Sequence, residues 1–260
     1  MRPFFFGDSS APLFGVYHPP QGAHPRAWGV VVCNPFGQEY LRAHRALRQL
    51  AARLAAAGFH TVRFDYFGCG DSAGDDDEGR VGRWIQDAAA AADEVEALSG
   101  SSRLALVGLR LGANVAAGLA SRRAGVEQLV LWDPVLDGRR YLEELAAAHE
   151  TWIREHARAR PDGGAPAAAE VLGFPLPHAL RAEIEAFDLG GSTCPAPRAL
   201  VLTSGGADAG ALYRSAGPEA VERVRVAGPP VWSRGDGLDE SLVPAETLDV
   251  IAAAMVRSCG

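Results

Sequence analysis

Residues 103–115 read RLALVGLRLGANV, and their interpretation decides the fold. After Arg103 the run to Leu109 is continuously apolar, as a strand buried on both faces has to be. Gly108 and Gly112 then bracket Arg110, and the helical pattern LGANVAAGLASRRAG follows over residues 111–125. A strand that turns into a helix within one residue brings two stretches of backbone close together, which glycine tolerates and a Cβ does not. An arginine stands at the tip of that turn.

Working outward, the same alternation recurs. WGVVVCNP (28–35), HTVRFDY (60–66), VEQLVLWDPV (126–135), RALVLTS (198–204) and VERVRVAG (221–228) are short apolar runs suited to strands. PFFF and PLFGVYHP form two opening strands around the turn GDSSA. Between them lie helical patterns at 45–58, where Leu47, Leu50, Leu54 and Ala55 share a face and Gly58 ends the helix, at about 81–98, and near 245–257. Alternation of this kind implies an α/β fold with a doubly wound, mostly parallel sheet of eight strands. The rhythm breaks after the sixth strand. Residues 137–190 carry the helical segments RRYLEELAAAHETWIREHARA and PHALRAEIEAF around the linker RPDGGAPAAAE, with no strand pattern. The expected division is a core of residues 1–136 and 191–260 with a helical cap at 137–190.

The composition prunes the chemistry. With 260 residues, 48 % hydrophobic and 22 % charged, the chain suits one soluble α/β domain with an insertion. A net charge of −7 argues against nucleic acid as a partner. No apolar run approaches bilayer-spanning length, and Gly7 and Asp8 cut the opening phenylalanines too short for a signal peptide, so no membrane and a cytoplasmic location are expected. Every one of the 25 basic residues is arginine, which excludes Schiff-base and pyridoxal chemistry and a P-loop. Cys33, Cys69, Cys194 and Cys259 show no CxxC spacing, so neither a zinc site nor a disulfide framework is expected, and no cofactor is implied.

A strand ending in NPFG, another ending in RFDYFGCGDSAG, the turn LVGLRLGA and then LVLWDPVLDGRRYLEEL resemble the α/β-hydrolase superfamily. More narrowly they are similar to the serine-aminopeptidase-like (S33-type) hydrolases, including the exosortase-associated branch. The resemblance implies that G-x-R-x-G is the nucleophile elbow G-x-S-x-G with Arg110 in the serine's place. A guanidinium stays protonated and has no lone pair with which to attack, so a serine acyl-enzyme is ruled out at this position. The family's general base would fall at about 228–245, where GPPVWSRGDGLDESLVPA has no histidine. The triad acid would be Asp208, in LTSGGADAG after the seventh strand; a turn aspartate is the alternative. An oxyanion hole would use the backbone N–H of Leu111 and one from Phe36 or Gly37.

Arg110 has two readings. In one, these amides and the guanidinium form a pocket for a carboxylate, phosphate or sulfate. In the other, an internal carboxylate plugs the arginine, with Glu39, Asp133 and Asp208 as candidates, because an unpaired buried arginine is costly. Glu39, Tyr40 and His44 follow the NPFG loop and are candidate supporting groups; His44 is equally readable as a helix-surface residue. Cys33 and Cys69 are substitute nucleophiles only beside a base. In the cap, HETWIREH places Trp152 one turn from His156, an aromatic ceiling or simple packing. His149 and His156 are too far apart for one metal ion.

Three functions follow. The first is a non-hydrolytic protein binding a small anionic or acyl-bearing molecule beneath the cap. The second is an enzyme using Arg110 with Glu39, Asp208 or His44 as base in hydrolysis, cyclisation or elimination. The third is a pseudo-enzyme interaction partner, with a homodimer as one form.

Overall fold

Both faces of the central strands are buried, and that double burial organises the molecule. The computed structural model describes residues 1–22, 24–156, 170–189, 192–204, 212–213, 219–227 and 243–259. In chain order the elements are β1 (Arg2–Phe6), β2 (Leu13–His18), β3 (Gly29–Cys33), α1 (Gln38–Ala56), β4 (His60–Phe64), α2 (Val81–Ser99), β5 (Leu104–Leu109), α3 (Leu111–Ala120) and β6 (Val126–Trp132). Then come α4 (Gly138–His156), the short strands β7 (Glu170–Val171) and β8 (Phe174–Pro175), α5 (His178–Glu185), β9 (Arg198–Ser204), β10 (Val221–Val226) and α6 (Ala245–Ser258).

Eight strands form one sheet in the order β1-β2-β4-β3-β5-β6-β9-β10. The pairs β1–β2 and β2–β4 are antiparallel, and the rest are parallel. Successive side chains of a strand point to opposite faces. Thus Val31, Cys33, Leu104 and Leu106 pack on the α2/α3 side, whereas Val30, Val32, Ala105 and Val107 pack on the α1/α6 side. Two cores of this kind require strands without polar alternation, the pattern the sequence shows.

Two details differ from the sequence-based expectation. Helix α1 begins at Gln38 rather than at residue 45. Its first turns, QEYLRAH, lack the apolar stripe because Glu39, Tyr40 and His44 serve polar surroundings; Gly37 starts the helix with φ 59°. The insertion after β6 also contains a strand pair, β7–β8, where no strand pattern is legible. Two-residue strands cannot display alternation; their turn rests on Leu172 (φ 50°) and Gly173 (φ 86°), the double positive φ of a tight hairpin.

The insertion is pinned at its root. A Cβ on Gly138 would run into the Ile184 carbonyl, so α4 starts in direct contact with the end of α5. The Gly138 N–H donates to Phe187 O at 2.9 Å.

Candidate functional site

The turn between β5 and α3 has the geometry that its glycines predict. A Cβ on Gly108 would collide with the Gly112 carbonyl, and one on Gly112 with the carbonyls of Cys33 and Asn34. Arg110 itself takes φ 53° and ψ −123°, and its N–H donates to Trp132 O at 2.9 Å. A non-glycine residue at positive φ is strained, and such strain persists only where the surrounding packing enforces it.

The Arg110 side chain is answered from within. Its Nε donates to Glu39 Oε1 at 2.8 Å. One terminal nitrogen reaches Asp133 O at 3.4 Å and the other lies 3.7 Å from Glu144 Oε2. The guanidinium carbon sits 5.1 Å from the Tyr141 ring centre, and the Tyr141 hydroxyl donates to Glu39 Oε2 at 3.0 Å. Of the carboxylates anticipated for this role, Glu39 takes it. Asp133 offers only its main-chain oxygen to Arg110; its Oδ1 accepts the Ser204 N–H at 2.6 Å, and its Oδ2 is buried without a hydrogen bond among the described residues. Asp208 lies outside the described residues, as does most of the segment where a histidine base would fall.

Burial pushes the Glu39 carboxyl above its ordinary value, while the Arg110 charge and the hydrogen bonds from Arg110 and Tyr141 pull it back. Burial also works against the Arg110 charge, but the Glu39 carboxylate outweighs it and the guanidinium is held above its ordinary value. Arg110 therefore remains cationic, in contact with a carboxylate and largely shielded from solvent. Tyr141 and Glu144 are the partners that sequence reasoning missed. Their only signal is a spacing of one turn on α4, which does not say what that face meets.

Among the described residues no acceptor takes the N–H of Leu111, Phe36 or Gly37. Phe36 and Gly37 line a cavity of about 350 Å³, but Arg110 and Leu111 do not. Its walls are largely aromatic, with Phe36, Tyr66, Trp84 and Phe174, and its polar edge is Tyr40 and Asp65. The Tyr40 hydroxyl donates to Asp65 Oδ1, and Asp65 Oδ2 accepts the Asp71 N–H at 3.1 Å. Tyr40 thus belongs to the cavity and not to the elbow.

The remaining candidates fall elsewhere. His44 lies on the exposed side of α1, in the rim of a second cavity, with its ring centre 5.9 Å from that of Tyr40. Trp152 is half-buried on α4 and lines neither cavity. His149, by contrast, holds the hairpin, its Nδ1 accepting the Leu172 N–H at 3.0 Å. Burial raises the thiols of Cys33 and Cys69 to about 12 in each case, so neither supplies a thiolate.

A family model described as serine aminopeptidase, S33, matches residues 25–167. A search among curated proteins finds no match. Among solved structures, the chain is similar to Est1E from Butyrivibrio proteoclasticus with ferulic acid bound, at 13 % identity and TM-score 0.68, covering 98 % of each chain. It is similar to proline iminopeptidase from Mycobacterium smegmatis at 15 % identity and TM-score 0.62, covering 99 % of each chain. The bottromycin epimerase BotH, in complex with bottromycin A2, aligns over 100 % of both chains at 18 % identity and TM-score 0.62.

Proposed function

The chain belongs to the serine aminopeptidase S33 family, and we propose that within it this protein binds a small acyl- or ester-type molecule without serine-based hydrolysis. The observation that carries this reading is the sealed elbow. Arg110 occupies the position from which an attacking hydroxyl would act, and Glu39 and Tyr141 hold it in place. The open volume lies beside the elbow, in the aromatic cavity of about 350 Å³ below Phe174 and Pro175. A concave, mostly apolar site with a few polar groups suits an uncharged acyl or aryl ester better than an anion, since Asp65 and Asp76 line it and Arg110 does not. The inserted helices and hairpin act as its cap.

Est1E holds ferulic acid in its solved structure, so alkyl esters of hydroxycinnamic acids are suitable first probes. Calorimetric titration with ethyl ferulate is expected to saturate, without release of acid, and Phe174→Ala is expected to weaken it. A fluorophosphonate is expected to leave the protein unlabelled. Labelling at a single serine sinks the proposal, as does ester turnover.

A second reading has its own support. Glu39 is a buried carboxyl with a raised proton affinity, the kind of group that proton-transfer enzymes use, and BotH is an epimerase on a similar fold. Glu39 would then be the base and Arg110 the electrophile. Turnover of a substrate that Glu39→Gln abolishes would favour this reading over binding alone.

A further inference from the structure

A second arginine, Arg63 on β4, is buried with no carboxylate in ion-pair contact among the described residues. It is 7 % exposed, and its Nε donates to His18 Nε2 at 3.3 Å. No carboxylate stands in ion-pair contact with it among the described residues, and its two terminal nitrogens meet no acceptor there. Arg63 instead lines a cavity of about 430 Å³ between α1 and the β2–β4 face, with Phe14, Tyr40, His44, Asp65 and Asp71 around it. This is a different cavity from the one assigned to the acyl ligand, although Tyr40 and Asp65 border both.

The charged side chains lining the cavity are Arg63, Asp65 and Asp71; burial works against the Arg63 charge, and Asp65 favours it from beyond ion-pair distance. Tyr40 and His44 reach it from α1, and Arg48, four residues further on, extends the same helix face. Burial first, and then the Arg63 charge, lowers His18 to about 4 and also lowers His44; Arg48 acts on both in the same sense, and the N-terminal amine acts on His18. Against these stand Asp65 and Asp71. The Asp65 carboxylate is already taken up by the Tyr40 hydroxyl and the Asp71 amide, and the Asp71 side chain is exposed.

A buried guanidinium cannot relieve its cost by losing a proton, so it calls for an anion. From these placements we infer that the cavity binds a tetrahedral oxyanion, with a phosphate monoester as the ligand class. Arg63 presents a planar fork of donors from the sheet, and His44 approaches from the helix. Donors converging from two sides suit a tetrahedral group. A volume of about 430 Å³ leaves room for the organic part of a monoester.

The test uses the whole chain and inorganic phosphate as the probe. Melting temperatures are measured in phosphate and in chloride of equal ionic strength, for the wild type, Arg63→Met and His44→Glu. At roughly five times the dissociation constant, phosphate is expected to raise the wild-type midpoint by about 2–4 °C over chloride. Arg63→Met removes the fork, and His44→Glu supplies an internal carboxylate to it; both are expected to lose the phosphate-specific gain. His44→Glu alone decides the matter if Arg63→Met does not fold. The inference is overturned if wild type responds equally to both salts, or if the variant keeps the full gain.

Discussion

Arg110, just past the end of β5, and Arg63, on β4, are largely buried arginines on either side of β3, and the chain meets their charges in opposite ways. Arg110 follows β5 and finds Glu39 at 2.8 Å, with Tyr141 and Glu144 closing over it. Arg63, on β4, has a neighbouring histidine and an open cavity. A permanent cation in a fold can be neutralised by the protein itself or left for a ligand. The first choice makes a position inert to anions, and the second makes it receptive. The residue at the elbow, where function is first sought, took the first course.

The largest effect separating the two arginines is expected from Glu39→Gln. Loss of that carboxylate leaves Arg110 with the more distant, half-exposed Glu144 and the Asp133 carbonyl, at a cost of about 3–5 kcal/mol in urea unfolding. Arg63→Met orphans no carboxylate, so its cost in chloride buffer is expected to stay below about 1.5 kcal/mol, the value of one hydrogen bond. Equal losses in the two variants would erase the distinction.

Tyr141→Phe removes one donor to the Glu39 carboxylate and is expected to cost about 1.5–3 kcal/mol in the same assay. Gly112→Ala, which drives a methyl group into the carbonyls of Cys33 and Asn34, is expected to cost about 1–3 kcal/mol.

The pair also has a pH signature. The folded pKa of Glu39 is raised, so the stability linked to it is present below the unfolded value and is lost as pH rises through the folded one. Arg110→Met removes the charge that restrains this shift. Its stability is therefore expected to fall more steeply than that of wild type between about pH 4 and about pH 8, as read from urea midpoints. A parallel decline in both proteins would mean that Arg110 does not set the proton affinity of Glu39.

The smallest effect belongs to Glu144→Gln. Its carboxylate is 3.7 Å from Arg110 and its side chain is 53 % exposed, so a change within about 0.5 kcal/mol is expected. A larger loss would make Glu144, beside Tyr141, a structural part of the elbow.

Much of this molecule is legible in its sequence, because strands buried on both faces have to be apolar throughout. The runs at 28–35, 103–109, 126–135 and 198–204 became β3, β5, β6 and β9, and Gly108 and Gly112 bracket the turn they promised. Less was legible where packing hides the pattern. The first turns of α1 carry Glu39, Tyr40 and His44 in place of an apolar stripe, so the helix is hard to see before residue 45. The β7–β8 pair is too short for any periodicity.

The order of strands and helices, the tight turn at Gly108–Gly112 and the cation at its tip were determined by the sequence alone, since each depends on local residue size, backbone freedom and charge. Which carboxylate meets that cation was decided only by tertiary structure. Glu39 lies 71 residues before Arg110 and 102 before Tyr141, and no local rule brings them together. The starts of α1 after β3, α3 after β5 and α4 after β6 do so, because these strands run parallel and deliver all three helix starts to the same end of the sheet.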